Sequence, residues 1–293
     1  AGRNIARAAL IRPWLFLMPA LLLLAAYLVY PLFVSIWLSF MDATGDNFVG
    51  LGNYTWLLND LKFRESLQNN ILWLLVVPAL STFFGLIAAA LTDRIGWGNF
   101  AKAMIFMPMA ISFIGAAVIW KFIYDYRGDG QTEVGVLNAL WVALGGEAQT
   151  WLTVEPANSF LLMIVLVWIQ TGFAMVILSA AIKAVPADVV EASALDGAYG
   201  FKLFRMITFP MVKTTVIVVL ATQVVGALKL FDIVRTMTGG NFGTNVLANE
   251  MYSQIFVQFD QGKGSALAVI LFLLVTPILI YNIQSLRKER AHN

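Results

Sequence analysis

Six stretches of the chain carry no charge and are dominated by apolar residues: 13–41, 66–92, 103–120, 156–182, 214–228 and 264–286. A hydrocarbon core about 30 Å thick needs about 20 mostly apolar residues in a helix, because no backbone polar group can stay unpaired there. Four of the runs are long enough outright. The third, of 18 residues, suffices once Lys121 snorkels at its end. The fifth is short only because Lys229 and Asp232 interrupt an apolar sequence from Thr214 to Val234. The pattern predicts an all-α polytopic membrane protein, one transmembrane domain over 1–293. Its six transmembrane helices fall at about 14–40, 68–92, 102–124, 159–182, 211–234 and 264–286. The first span is about twice the 7–15 apolar residues of a secretory signal and holds Pro19 and Pro31, so it is expected to stay in the protein.

Composition agrees: 60% of residues are apolar and only 12% charged, against about 25% charged in soluble domains. The net charge of +2 hides an asymmetry. One set of alternate loops and termini holds Arg3, Arg7, Arg12, Arg94, Lys102, Lys183, Lys202, Arg205, Lys213, Arg287, Lys288 and Arg290. These twelve basic residues face five acidic ones, Asp93, Asp188, Glu191, Asp196 and Glu289. The remainder has seven basic and twelve acidic residues. The excess of Lys and Arg marks the cytoplasmic side. Both termini and the loops 93–102 and 183–213 are therefore expected there, and the loops 42–65, 125–158 and 235–263 outside. Within the second outer loop, Val136, Leu137, Leu140, Trp141 and Leu144 have the spacing of a short amphipathic helix. It either packs on the bundle or offers a docking surface.

Catalytic chemistry finds few groups to use. There is no cysteine, and the one histidine is His292. The nearest approach to a phosphate-binding loop, Gln261-Gly262-Lys263-Gly264-Ser265, has Val257 where the first glycine belongs. The chain is expected to be no enzyme, and any work against a gradient must draw on a partner or an ion gradient.

The loop at 183–213 is the most informative. Asp188 followed by Glu191, just after Pro186, is a helix start of the capping-box kind. Asp196-Gly197 is a turn signal within two turns. Gly200 opens a second amphipathic stretch with Phe201, Leu203, Phe204, Ile207 and Phe209 among Lys202, Arg205 and Thr208, ending at Pro210. The loop reads as a compact helix-turn-helix under the membrane.

Glu191-Ala192-Ser193-Ala194-Leu195-Asp196-Gly197-Ala198, with Phe204, Ile207 and Pro210 following, resembles the "EAA" loop of binding-protein-dependent ABC importer permeases. Ser193 stands for the second alanine and Thr214 where a second proline is often seen. A second stretch, Phe231-Asp232-Ile233-Val234, then Thr238-Gly239-Gly240, Leu247 and Tyr252, is similar to the sugar branch related to the maltose and glycerol-phosphate systems. The resemblance implies a multi-pass protein of the bacterial inner membrane, with 184–210 as a coupling loop between helices 4 and 5. It implies a sister permease forming a heterodimer, two ATPase subunits that bind ATP and Mg, and an extracytoplasmic solute-binding protein. Cofactors of the chain's own, metals and nucleic acid are not expected; membrane lipid is. Glu191, Ala192, Ser193, Asp196 and Gly197 would form the ATPase-coupling surface, the small residues allowing close approach and the acids meeting a basic rim. Glu191 could otherwise serve only as a cap.

Polar residues inside spans are costly and often functional. Gln170 and Thr171 in the fourth span and Gln223 in the fifth could meet sugar hydroxyls, and Trp120 and Trp168 could stack on pyranose rings. Ser112, Asn282 and the pair Lys229–Asp232 are further candidates, the pair lying three apart on a helix. The solute is expected to be an oligosaccharide or glycoside such as an α-glucoside. A permease for a non-sugar solute such as glycerol phosphate is the near alternative. A transporter driven by an ion gradient through Asp232 should carry internal repeats, and none is visible.

Overall fold

In the computed structural model the described residues are 14, 16–128, 135–227 and 230–292, with the side chains at 278, 279 and 281–292 also outside the description. The predictions on Arg3, Arg7, Arg12 and Lys229, on the Lys229–Asp232 pair, and on the side chains of Asn282, Arg287, Lys288, Glu289, Arg290 and His292 lie outside the described residues. The helices are α1 Phe16–Leu38, α2 Gly52–Asn59, α3 Leu61–Thr92, α4 Gly98–Phe106, α5 Phe113–Ile123, α6 Val136–Ala143, α7 Ala157–Lys183 and α8 Ala187–Leu195. They continue with α9 Gly200–Ala227, α10 Phe231–Met237, α11 Leu247–Phe256 and α12 Gln261–His292. The chain divides into two compact units, 1–60 with 251–272, and 61–250 with 273–293.

In the first unit, α1 is apolar all round and none of its spanning window is buried. Its π turn at Ala25–Val29, closed by Tyr30 N–H on Ala25 O, sits just ahead of Pro31. The wider turn makes room for a ring that brings no N–H. Beyond it, Asp42 accepts hydrogen bonds from Asn47 Nδ2 (2.7 Å), Gly45 N (2.9 Å), Asp46 N and Thr44 Oγ1 (both 3.0 Å). The Asn47 bond leads the causes that hold its carboxyl well below the usual range. Asn53, buried, donates to the carbonyls of Ser39 (2.9 Å) and Met41 (2.7 Å). A Cβ at Gly262 would collide with Met41 O, so this glycine serves a close helix–loop contact.

In the second unit α3 and α7 pack along their length. Gly85 lies so close to α7 that a Cβ would stand 2.9 Å from Met175 N and press on Ala174. Small residues let backbones approach where water supplies no drive between helices. One core gathers Trp73, Val77, Leu162, Leu166, Ile233 and Val234, and another gathers Ala89, Ala174, Met175, Leu178 and Val219. α6 forms where the apolar spacing predicts it, held by the fully buried Asn138. That side chain donates to Asp125 O (2.8 Å) and Gln149 O (3.0 Å) and accepts from Gln149 N (2.9 Å) and Trp151 Nε1 (2.7 Å). Most of its apolar residues, Leu140 and Leu144 among them, stay exposed.

Two predicted spans are redrawn. The stretch 102–124 is not one straight helix: Gly98–Ala110 and α5 meet at a bend of 104°. A 3-10 turn at Met107–Ala110 containing Pro108 closes the first piece, Ile111 is extended, and Ser112 caps the second by accepting from Gly115 N at 3.1 Å. Nor does 211–234 hold. α9 begins at Gly200 and passes through Pro210 to Ala227, the last described residue before Leu230, which lies in a turn ahead of the separate helix α10. Pro210 fails to end the helix because a π turn at Phe204–Thr208, with Phe209 N–H on Phe204 O, precedes it. The device matches the one at Pro31. Among the described residues four helices are long and apolar enough to cross a membrane, α1, α3, α7 and α9, or five where the bent pair counts as one span. Of α12, the described apolar part is Gln261–Pro277.

Candidate coupling surface and membrane pocket

α8 starts just after Pro186, its N-cap, whose ring fixes φ and whose missing backbone N–H costs no helix bond there. The predicted capping box does not form: no side chain caps this end, and Asp188 sits in the first turn, where its charge suits the helix dipole. The other end is built tightly. Ala198 N–H returns to Ser193 O and Gly197 N–H to Ala194 O, both at 3.0 Å, with Gly197 at φ +76. This Schellman arrangement needs a left-handed residue at that one position. Nothing lies within 4 Å of where a Gly197 Cβ would stand.

The helix has two faces. Ser193 and Ala198 turn inward, Ser193 being buried with its hydroxyl on Val190 O at 2.8 Å. Ser193 therefore adds nothing to the small exposed surface expected of it; its size lets α8 sit close. Glu191, Ala192, Asp196 and Gly197 face outward. Beside them stand Leu195, 91% exposed, and Tyr199 and Phe201, also well exposed. These apolar residues, which the motif does not single out, share the exposed face. Their signal was the placement of Leu195 one turn beyond Glu191, on the charged face.

The end of α7, from which the chain runs into α8, is tied to α3 and α4 electrostatically. Asp93 at the end of α3 pairs with Lys102 of α4 and with Lys183 of α7 (3.4 Å), and accepts from Ser179 Oγ (2.9 Å). Lys102 Nζ also donates to Ser179 Oγ at 2.6 Å. Burial raises the Asp93 pKa, but the bonds from Lys102 and Ser179 and both lysine charges outweigh it and hold the carboxyl below its usual range.

Farther along the bundle a cavity of about 580 Å³ brings Trp120, Trp168 and Thr171 together with Phe84, Met104 and Ile105. Trp120 and Trp168 meet edge to face at 5.7 Å. Trp120 Nε1 is buried without a partner among the described residues. Thr171 spends its hydroxyl proton on Val167 O at 2.7 Å. Gln170 and Gln223 do not line this cavity. Gln223 Nε2 donates to Gln170 O at 3.0 Å, and the Gln170 amide lies against Gly226, so the two glutamines join α7 to α9.

The Thr-Gly-Gly stretch lies at the other end of the unit, stitched down by asparagines that sequence reading did not single out. Asn69 donates to Gly243 O and Asn245 O (2.8 Å each), Asn158 to Phe242 O (2.6 Å) and Asn249 to Gly239 O (3.0 Å).

Long apolar helices packed through glycines, with an exposed charged short helix at one end, define a polytopic helical membrane protein of transport type. Residues 5–290 match the family described as binding-protein-dependent transport system inner membrane component. The chain is 58% identical over 290 residues to the alpha-glucoside transport system permease protein AglF of Rhizobium meliloti, covering 99% of this chain and 86% of that one. It is 46% identical over 275 residues to the osmoprotective compounds uptake permease protein GgtC of Synechocystis, covering 94% and 99%. A solved bacterial ABC transporter involved in the import of the acidic polysaccharide alginate shares the fold, with TM-score 0.81 at 18% identity over 97% of this chain and 98% of that one. The chain belongs to the binding-protein-dependent transport system inner membrane components, and it is a permease subunit embedded in the inner membrane.

Proposed function

We propose that this permease passes a neutral oligosaccharide or glycoside of the α-glucoside kind, delivered by an extracytoplasmic binding protein. A sister permease forms the other half of the path, and two ATPase subunits, which hold ATP and Mg, drive it. Six spans leave both termini and the loops 93–102 and 184–210 in the cytoplasm. The observation that carries the reading is α8, a capped helix with Glu191, Ala192, Leu195, Asp196 and Gly197 turned away from its own chain. A helix so built transmits a rigid-body motion when a partner grips it. The Trp120–Trp168 pair supplies aromatic faces and a spare indole N–H for a hydroxyl, and no charged residue is among the described lining of that cavity. That favours a neutral solute over a phosphate ester. The name of the relative 58% identical over 290 residues supports the sugar class. The test is uptake of radiolabelled maltose, sucrose and trehalose by the four-subunit complex in proteoliposomes, with binding protein outside and ATP inside. ATP-independent uptake driven by an ion gradient, or uptake of glycerol phosphate alone, would overturn it. The 46% identity to an osmoprotectant permease supports a compatible-solute variant of the same reading, tested by adding such solutes as competitors.

A further inference from the structure

A groove of about 420 Å³ runs between the last three turns of α3 and the first turn of α9, lined by Phe83, Leu86, Ile87, Leu91, Phe201 and Phe204. Phe83, Leu91 and Phe201 are well exposed. Ala90 lies at its floor, and Arg94 at the α3 end is its one charged lining residue.

The geometry points to a binding site for one anionic phospholipid of the cytoplasmic leaflet, its acyl chain in this groove and its phosphate at Arg94. Depth is the first argument. Phe83 to Thr92, the end of α3, rises about 14 Å at a helical rise of about 1.5 Å per residue, with Arg94 in the turn just beyond, and one leaflet contributes about 15 Å of the hydrocarbon core. An acyl chain anchored at Arg94 therefore fills the groove from end to end. Charge is the second. The only acid beside Arg94 in the chain is Asp93, and its carboxylate is already held by Lys102, Lys183 and Ser179. Arg94 and Arg205 have no carboxylate partner among the described residues, and Lys202 and Arg205 border Phe201 on its other side. The mouth is thus cationic, as the anionic cytoplasmic leaflet requires. A zwitterionic lipid offers the same phosphate but offsets it with its own ammonium, so it gains less from the cationic mouth.

The site touches the coupling loop, since Gly200, Phe201 and Phe204 follow α8 directly. A bound lipid would brace the first turn of α9. The inference uses the orientation proposed above only to name the leaflet.

The test is photocrosslinking in nanodiscs of the assembled importer with two probes, phosphatidylglycerol and phosphatidylcholine, each with a diazirine on the acyl chain. Mass spectrometry locates the adducts. Phosphatidylglycerol should label peptides containing 83–94 and 200–204 more strongly than phosphatidylcholine does. Arg94→Gln should lower its labelling about fivefold, the worth of one basic residue near an anionic surface, and lower that of phosphatidylcholine by less. Ala90→Trp should abolish both. Equal labelling by the two lipids, labelling that survives Ala90→Trp, or these peptides buried under another subunit would overturn the proposal. Because Arg94 is exposed, its variant reports even if Ala90→Trp does not assemble. Labelling needs no transport, so a failed uptake assay leaves this result readable.

Discussion

Gly197 holds a left-handed conformation, φ +76, at the end of α8, and open space surrounds the position a Cβ would take. Within the chain, Gly197→Ala therefore costs only the backbone term, about 1–2 kcal/mol for a non-glycine residue in that region. Asn enters the left-handed region more readily than Ala, so Gly197→Asn should cost the backbone less while adding more volume. A partner seated against this surface reverses the order. Overpacking a closed contact costs about 1–3 kcal/mol, which is roughly a 5- to 150-fold loss in the coupled population. Close approach thus predicts that uptake falls in the order Gly, Ala, Asn, Trp; a purely local capping role predicts Asn above Ala. The assay is sugar uptake and binding-protein-stimulated ATP hydrolysis by the complex in proteoliposomes. Variants should lose uptake while basal hydrolysis persists. Wild-type uptake by Gly197→Trp, or Asn outperforming Ala, would refute the docking role.

Asp93→Asn removes the negative charge that holds Lys102 and Lys183 and one of the two oxygens that accept from Lys102 and Ser179, and should destabilise the complex by about 1.5 kcal/mol or more. Its folded pKa lies below the usual carboxylate value, so this stabilisation is present above that range and is lost as pH falls through the folded value. Melting curves against pH should show an acid limb that the variant flattens. Asn138→Ala strands the Trp151 and Gln149 N–H groups and should cost about 2–3 kcal/mol locally, read as faster hydrogen exchange over 136–151 with α3 and α7 unaffected. Gly85→Leu drives a side chain into Ala174 and Met175 and should abolish assembly in size-exclusion chromatography, whereas Leu75→Ala, on an exposed position of the same helix, should not.

The apolar stretches that form α1, α3, α7 and α9 were legible because the bilayer imposes one rule on every residue of a span. Where they bend was not. Both halves of 98–123 are apolar, so hydropathy sees a single run, and the break depends on Pro108, an extended Ile111 and the Ser112 cap acting together. Pro210 misled in the opposite direction. A proline stops a helix when its missing N–H and its ring meet an ordinary turn; the π turn at Phe204–Thr208 relieves both, and no composition signal announces it.

For the site, residue type was legible and direction was not. Ala192, Ser193 and Gly197 all read as small, and smallness serves opposite faces of α8. Ser193 faces inward, where its size and its bond to Val190 O let the helix sit against its own chain. Gly197 faces outward, where only the backbone and whatever lies beyond it constrain the choice. The glutamines show the same ambiguity. An amide in a span must find a partner, and Gln223 finds one across α7 and α9 at the Gln170 carbonyl, which leaves the aromatic cavity to Trp120 and Trp168. A helical repeat of 3.6 residues fixes which neighbours share a face, but which face meets the protein is set by packing between α3, α7 and α9. A motif of small and acidic residues therefore marks α8, and the exposed Leu195 beside Glu191 marks the side that it turns away from its own chain.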